Sequence, residues 1–366
     1  MKIHTCRITN PNTKTSELQI RLNGRLNGDT LTNNLKNVMN NNLKIWITAA
    51  LGAGCLCACE GETYDCAGQQ PSTVPISIAP ALAAQTRGTD ITTDNFTTFG
   101  VMAYLSQGSD FNTTTSTPNF MYNQKVEKKG SAWEYTPQKY WPGNSGDKLS
   151  FFAYAPYNAS GIKVPDNNAT GYPRFTYTVS TKEADQTDLL AATPLMNRTY
   201  ASTTGNSVTF NLKHALTKVI FNVQSEINII VSALSVSAWT TSELTFTDSG
   251  FSWENYTGTQ EFTASLTENS SGIRVTANAA TPLELAAFFL LPDKTGATFS
   301  LTYQQDDENP VVMTGNAFPD TPTWEQSQRL TYLLKIKKDG VTVSSSGIGE
   351  WESDGEAVDV TGTTPP

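Results

Sequence analysis

The chain has 366 residues, with 25 Lys and Arg against 34 Asp and Glu and a formal net charge of −9. Residues 1–87 hold 8 of the basic and 5 of the acidic residues, which leaves 17 and 29, a net charge of −12, for residues 88–366. Proteins that bind nucleic acid present a basic face, so a nucleic-acid partner is not expected. The length accommodates about two domains beyond a leader.

Residues 1–38 are polar, rich in Asn, Thr and Lys, and without a regular apolar period. A secretory signal normally stands at the extreme N-terminus, and Met39 with Lys44 would begin one well. We therefore predict that translation begins at Met39 and that residues 1–38 are a mis-annotated upstream extension. The alternative is a genuine, long and disordered basic region ahead of the signal.

Residues 39–58 have the pattern of a lipoprotein signal peptide. The apolar run 45–58 is shorter than the roughly 20 residues that span a bilayer. Small residues and a cysteine follow it, and Leu56 through Ala58 suit cleavage before Cys59 better than the residues ahead of Cys55 or Cys57 do. Cys59 is the predicted lipidation site, as for a palmitoylated lipoprotein. The alternative is a buried apolar helix of a globular domain.

The chain has 5 cysteines, and only Cys66 follows Cys59. An exported protein ordinarily uses paired cysteines as disulfides, but one cysteine cannot form an intramolecular bridge. The stability of the mature protein must therefore come from packed apolar cores.

The body of the chain shows the period of two that is typical of half-buried strands. No long amphipathic helix stands out, and Gly- and Pro-rich turns separate the candidate strands at short spacing, which favours β-sandwiches. Strand-like alternation or short apolar runs occur at 151–154, 175–179, 208–212, 244–246, 286–291, 299–303 and 341–343. Turn clusters occur at 142–146, 165–168, 292–296 and 338–340.

We predict that the body divides near Leu212, into sandwiches spanning 88–212 and 213–366. The join at 211–216 contains no Gly or Pro, so it should be stiff, a strand or turn that continues from one half into the next.

Several short motifs occur in the order found in one protein family. They are residues 84–88, 96–104, 140–142, 149–156, 188–192, 214–219, 324–332 and 349–351. Taken together, the chain after Arg87 resembles the fimbrillin family, the type V pilin-like fimbrial subunits of certain Gram-negative anaerobes. One departure is that Gln326 and Ser327 stand where the family usually has a glycine.

The resemblance implies an all-β fold of two tandem transthyretin-like, Greek-key β-sandwich domains. It implies export as a lipoprotein through the lipoprotein signal peptidase and a transient lipid anchor in the outer membrane. It also implies that an Arg-specific maturation protease removes an N-terminal strand. The groove left behind accepts the C-terminal strand of another fimbrial subunit, in a homo- or hetero-polymer at the cell surface. Such strand addition pairs the free backbone groups of a sheet edge and fills its side-chain pockets.

The candidate for the removable strand lies within the predicted propeptide 59–87. Val74, Ile76 and Ile78 share one face of an extended segment. Pro75 and Pro80 cannot donate backbone hydrogen bonds, which suits an edge strand.

Proteolytic processing is predicted between Arg87 and Gly88, in a polar stretch suited to cleavage. Arg87 as an ordinary surface arginine is the alternative. The candidate donor strand contains Ala357, Val358 and Val360, and simple disorder of this tail is its alternative.

Neither an enzyme nor a cofactor is expected. His214, the only histidine after the signal, has no second metal ligand at a suitable spacing and is predicted to be structural. The acidic residues 306–308 suit a hairpin tip better than a calcium loop. No nucleophile elbow or phosphate-binding loop occurs.

The shaft, tip-adhesin and anchor roles of a fimbrial subunit remain open on the sequence. A different class is a glycan-binding outer-membrane lipoprotein, in which exposed aromatic rings stack on sugars. The candidate rings are Trp133, Tyr135, Tyr140, Trp141, Trp239 and Trp253, and the alternative is that they belong to the core, as aromatic rings in sandwiches more often do.

Overall fold

The computed structural model describes residues 5–8, 16–19, 73–82, 95–203, 206–266, 272–305 and 308–350. The strands are β1 (Thr5–Ile8), β2 (Ser16–Gln19), β3 (Ser77–Leu82), β4 (Thr98–Ser106), β5 (Met121–Lys129), β6 (Ala132–Glu134), β7 (Lys148–Ala155), β8 (Ile162–Lys163), β9 (Arg174–Thr178), β10 (Leu190–Ala192), β11 (Leu195–Arg198), β12 (Ser207–His214), β13 (Thr217–Ser225), β14 (Ile229–Phe246), β15 (Phe251–Thr263), β16 (Ile273–Val275), β17 (Leu283–Leu290), β18 (Thr298–Gln305), β19 (Val311–Ala317), β20 (Gln328–Lys337) and β21 (Gly340–Glu350). The helical elements described are two 3₁₀ turns, Glu183–Asp185 and Tyr200–Ser202.

The all-β prediction is therefore confirmed. The predicted strand segments coincide with parts of β7, β9, β12, β14, β17, β18 and β21, although 175–179 and 286–291 each extend one residue beyond the end of β9 and β17. Across the described ranges, no helix is long and apolar enough to cross a membrane.

Residues 1–65 form a compact unit of their own. Within it, β1 and β2 pair antiparallel, with Thr5 opposite Gln19. The upstream extension and the start at Met39 remain predictions.

The second unit, residues 66–366, contains three sheets. The first has the order β3-β12-β10-β7-β4-β5-β6, with β11 also paired to β7. The second has the order β17-β13-β20-β21, and the third β19-β18-β14-β9-β8, with β15 and β16 paired to β14. In the first sheet β3 is parallel to β12, and in the second β13 is parallel to β20.

The first sheet is buried on both faces at its centre. In β7, Phe151 and Ala153 belong to one apolar cluster, whereas Phe152 and Tyr154 belong to a second. Because successive side chains of a strand point to opposite faces, an unbroken apolar run is what such a central strand requires. This explains why residues 151–154 do not alternate with polar residues.

The two halves of the predicted body share a sheet. β9 lies before Leu212 in the chain, yet it pairs with β14, with Phe175 opposite Leu244. The larger apolar cluster likewise takes Met102 from the first half and Ile336 from the second. The division into two tandem sandwiches at Leu212 remains a prediction. In the structure, the two halves are joined by backbone pairing and by a common core.

The end of the join, residues 214–216, is fully buried. β12 ends at His214, and β13 begins at Thr217 after only Ala215 and Leu216. His214 Nδ1 lies 2.9 Å from Asp188 Oδ1, with both side chains buried, and Trp253 Nε1 donates to the Ala215 carbonyl at 2.6 Å. These bonds satisfy polar groups that burial would otherwise penalise, which supports a structural role for His214.

The departure from the family's glycine has a local explanation at Ser327. This residue has a φ of 61°, the left-handed region that costs a residue with a Cβ about 1–2 kcal/mol. Its hydroxyl donates to the His214 carbonyl at 2.6 Å, and its amide donates to the Leu216 carbonyl at 3.1 Å. The serine thus gains a hydrogen bond to the join that glycine cannot make.

We expect Ser327→Gly to lie within about 1 kcal/mol of the wild-type free energy of unfolding, because relief of backbone strain offsets the lost hydrogen bond. Ser327→Ala keeps the strain and loses the bond, so it should be less stable than Ser327→Gly by about 1 kcal/mol or more. Urea denaturation of both variants provides the measurement. An alanine variant more stable than the glycine variant would contradict this account.

Side chains from the first half cover the outer edge of β17. Glu183 Oε1 accepts the Ala287 amide at 2.8 Å, and Gln186 Oε1 accepts the Phe289 amide at 2.8 Å. The other carboxylate oxygen of Glu183 accepts the Ser265 amide at 2.8 Å. An uncovered edge would present these amides to another strand, so the two side chains close β17 against strand addition.

Replacing Glu183 by alanine should lower the free energy of unfolding by about 1–3 kcal/mol, because the amides of Ala287 and Ser265 lose their acceptor. Asp185→Ala is the matched control, since it removes an exposed carboxylate from the same turn and should change stability by less than about 0.5 kcal/mol. Equilibrium unfolding monitored by tryptophan fluorescence checks both. Equal losses in the two variants would show that Glu183 does not act through these amides.

Candidate strand-docking site

The N-terminal segment of the second unit is docked at an edge of the first sheet. β3 ends the strand order and pairs with β12 in parallel, from Ser77 opposite Ser207 to Leu82 opposite Leu212. The partners are about 130 residues apart in the sequence, so this edge closes through a long-range contact. We call residues 74–82 the docked segment, and the cleft that holds it the groove.

The two prolines of the docked segment, Pro75 and Pro80, occupy positions at which the backbone nitrogen does not have to donate a hydrogen bond. The Ser77 amide donates to the Asn206 carbonyl at 3.1 Å. Because successive amides of an extended chain point to opposite sides, the nitrogen of Pro80 faces away from β12. Pro75 forms an isolated antiparallel bridge with Tyr140 through the backbone groups of its neighbours. Both prolines are therefore compatible with an edge strand.

Two isoleucines anchor the docked segment. Ile76 is 1% exposed and Ile78 is 2% exposed, whereas Ser77 between them faces solvent. Val74 is half-buried and packs against the same cluster. The buried members of that cluster are Ile76, Ile78, Phe96, Phe99, Val101, Ala103, Met121, Val126, Tyr135, Trp141, Leu149, Phe151, Ala153, Ala155, Leu190, Ala192, Val208, Phe210 and Leu212. Full burial of one such side chain contributes about 1.5–3 kcal/mol.

The groove has a second wall opposite β12. The Ile76 amide donates to the Lys139 carbonyl at 2.9 Å, and the Trp141 amide donates to the Val74 carbonyl at 3.0 Å. The Ile76 carbonyl accepts the Tyr135 hydroxyl at 2.7 Å and Gln138 Nε2 at 3.0 Å. Burial raises the pKa of Tyr135 to about 12, so its phenol stays protonated at neutral pH and remains a donor.

Sequence reasoning singled out Tyr135 only as a ring for sugar stacking and did not identify Gln138, Lys139 or Asn206. No local motif marks them, because each contacts a segment that is about 60 to 130 residues away. The sequence signals for this site were the shared face of Val74, Ile76 and Ile78 and the two prolines, Pro75 and Pro80, which suit an edge strand.

The remaining predicted site residues lie outside the described residues. These are the lipidation site Cys59, the processing site Arg87 and Gly88, and the donor residues Ala357, Val358 and Val360. Acidic residues Asp306 and Asp307 also lie outside, although β18 and β19 on either side of them pair antiparallel, as a hairpin requires.

The aromatic rings proposed for sugar stacking are mostly not on the surface, so the expectation that they are exposed is wrong except at one position. Tyr140 is 46% exposed. The others are buried or half-buried: Trp133, Tyr135, Trp141, Trp239 and Trp253. Among the described residues, no group of three or more His, Cys, Asp or Glu side chains could hold a metal ion.

The geometry defines a class of protein, an all-β chain in which an N-terminal segment completes a sheet edge. The fimbrillin-like family model matches residues 86–351, and the chain belongs to this family. Over 162 residues it is 33% identical to fimbrium subunit Fim1C of Phocaeicola vulgatus, a match covering 40% of this chain and 42% of that protein. The chain thus matches less than half the length of this relative.

The fold resembles the crystal structure of a fimbrial protein from Bacteroides vulgatus. The TM-score is 0.61 with 21% sequence identity, and the alignment covers 76% of this chain and 99% of that one. This similarity shows the fold.

Ile78→Ala should weaken docking of the segment by about 2–4 kcal/mol, because it removes a fully buried side chain and leaves a cavity. Since an edge strand can open locally, the effect should appear first as faster hydrogen exchange of the Ser77 amide. Ser77→Ala, which changes an exposed side chain beside it, is the control and should leave the exchange of neighbouring amides unchanged. Unaltered protection in Ile78→Ala would contradict burial as the source of docking.

Proposed function

We propose that this chain is a structural subunit of surface fimbriae (pili), exported as a lipoprotein, matured by proteolysis and polymerised by donor-strand exchange, in support of cell adhesion. The observation that carries the proposal is the docked segment of a fimbrillin-like chain. It completes a sheet edge, buries Ile76 and Ile78, and is followed within a few residues by Arg87.

Maturation would proceed from lipidation at Cys59, after cleavage by the lipoprotein signal peptidase. Transport to the outer membrane would follow, and then a cut between Arg87 and Gly88 by an Arg-specific protease. This cut separates the docked segment from β4 covalently without altering the groove. The segment then stays in place only through non-covalent contacts, and another strand can compete for the edge.

The C-terminal tail of a neighbouring subunit supplies the competing strand. Val358 and Val360 are two residues apart, the same spacing as Ile76 and Ile78, so both can face the apolar cluster. Valine is β-branched and suits a strand. Backbone pairing with β12 would provide affinity, and the two isoleucine pockets would provide selectivity.

The test compares the wild-type chain with Arg87→Ala, each isolated from the surface of a secreting host and treated with an Arg-specific protease. Wild-type protein should begin at Gly88 and form a ladder of polymers in unheated gel electrophoresis. Arg87→Ala should keep its N-terminal segment and remain monomeric. Arg174→Ala, which changes an exposed arginine on β9, is the control and should behave as wild type.

A second variant tests the donor. Removal of residues 352–366 should leave processing at Arg87 intact but abolish the ladder, since the groove would open with no strand to fill it. The proposal fails if the cut wild-type chain stays monomeric, or if the truncated chain polymerises as well as the wild type.

A further inference from the structure

The docked segment changes its hydrogen-bonding partner between Ile76 and Ser77. The Ile76 amide donates to Lys139 on one wall of the groove, and the next amide, of Ser77, donates to Asn206 beside β12. Val74 is paired only to the first wall, through Trp141. At this one step two consecutive amides are held from opposite sides, so the segment is fixed here more fully than in an ordinary edge strand.

The same step carries a side-chain contact to the backbone. Tyr135 and Gln138, here called the carbonyl clamp, both donate to the Ile76 carbonyl, at 2.7 and 3.0 Å. Gln138 Nε2 also lies 2.9 Å from the Tyr135 oxygen, which couples the two members of the clamp. The Tyr135 ring is buried in the cluster that holds Ile76, so its position is set by packing. A buried carbonyl that lost these donors would be left without a substitute for its solvation.

The two isoleucine pockets and the Asn206 carbonyl disfavour neighbouring registers of the segment. A shift of one residue would turn the isoleucines to solvent. A shift of two residues in one direction would place Pro75 at the Ser77 position, where an amide must donate to Asn206. The opposite shift would place Pro80 in the pocket of Ile78 and lose apolar contacts there.

We propose that Tyr135 and Gln138 are positioning residues that hold the backbone carbonyl of any strand in this groove, whichever chain supplies it, in the register that the two isoleucine pockets and the Asn206 carbonyl select. The groove then accepts a large apolar residue followed directly by a residue with a free amide. This inference rests on the proposed strand exchange, and it names what the exchange requires of a partner strand. Val358 followed by Asp359 meets the requirement, with Val360 at the Ile78 position.

The experiment uses the full chain cut after Arg87 and fluorescent peptides with the sequence of residues 72–82. Displacement of the natural segment is followed by fluorescence anisotropy. One peptide carries a thioamide at Ile76, which replaces the carbonyl oxygen with a poorer acceptor. Another carries an N-methyl group at Ser77. Matched peptides carry each change at Ile78, whose backbone groups face away from β12.

The thioamide at Ile76 and the N-methyl group at Ser77 should each weaken binding by about 5- to 30-fold, the factor expected for loss of 1–2 kcal/mol. The same changes at Ile78 should weaken it by less than about 3-fold.

The role of the clamp is tested by combining peptides with chain variants. Tyr135→Phe should weaken the unmodified peptide by about 5- to 30-fold and should reduce the added effect of the Ile76 thioamide, because both changes weaken the Tyr135 bond and only the Gln138 bond is left for the thioamide to affect. Tyr154→Phe removes a buried hydroxyl that donates to Asn123 at 2.7 Å, away from the groove, and is the matched control. It should retain the full thioamide effect.

The possible failures are distinguishable. If the unmodified peptide never enters the cut chain, strand exchange fails and the register inference falls with it. If the peptide enters but the thioamide costs the same in wild type and Tyr135→Phe, exchange stands and the clamp is overturned. The modified peptides test the inference on the wild-type chain even if Tyr135→Phe does not fold.

Discussion

Completion of one sheet edge is the constraint on which the first sheet depends. β12 would be an edge strand without β3, and its inward residues Val208, Phe210 and Leu212 would lose the isoleucines that belong to the same apolar cluster. An apolar edge of this kind attracts other strands. The docked segment pairs with this edge, and its two isoleucines pack among the other members of the smaller cluster.

The larger cluster places a different constraint on the molecule. β4 and β7 contribute residues to both clusters, so the first sheet separates two cores. The buried end of the join, residues 214–216, is held by hydrogen bonds to the side chains of Asp188, Trp253 and Ser327. These three residues come from separate parts of the chain. The groove, which is lined by the smaller cluster, is therefore separated by the first sheet from the larger cluster, which extends to β20. We expect that core to stay intact when β3 leaves, because its contacts do not include Ile76 or Ile78.

Much of this architecture was accessible from the sequence, for identifiable reasons. The alternation in 208–212 predicts β12 because one face of it is solvated, and the shared face of Val74, Ile76 and Ile78 predicts a strand for the same reason. Pro75 and Pro80 predict that this strand lies at an edge. Partner choice was not accessible. Nothing local assigns β9 to the sheet of β14, because its pairing depends on residues about 65 positions later.

Individual polar contacts were the least predictable features. By residue type, Tyr135 could be a surface ring and Glu183 a solvated carboxylate. In the fold, each side chain instead forms hydrogen bonds to backbone atoms that are distant in the sequence. At Ser327 the residue type argued against a left-handed backbone, and a hydroxyl bond to the join compensates for it. Such contacts follow from the fold and cannot be derived before it.

The length of the connection between β3 and β4 has its own consequence. β3 ends at Leu82 and β4 begins at Thr98, so residues 83–97 tether the strand to the sheet it completes. A short tether holds its ligand at an effective concentration on the order of millimolar, which dilute competitors cannot match. Breaking one peptide bond in 83–94 replaces this fixed value with the true concentration of free strands. Under the proposed strand exchange, occupancy of the groove would then depend on the local concentration of neighbouring chains, whereas in the uncut chain it is independent of concentration.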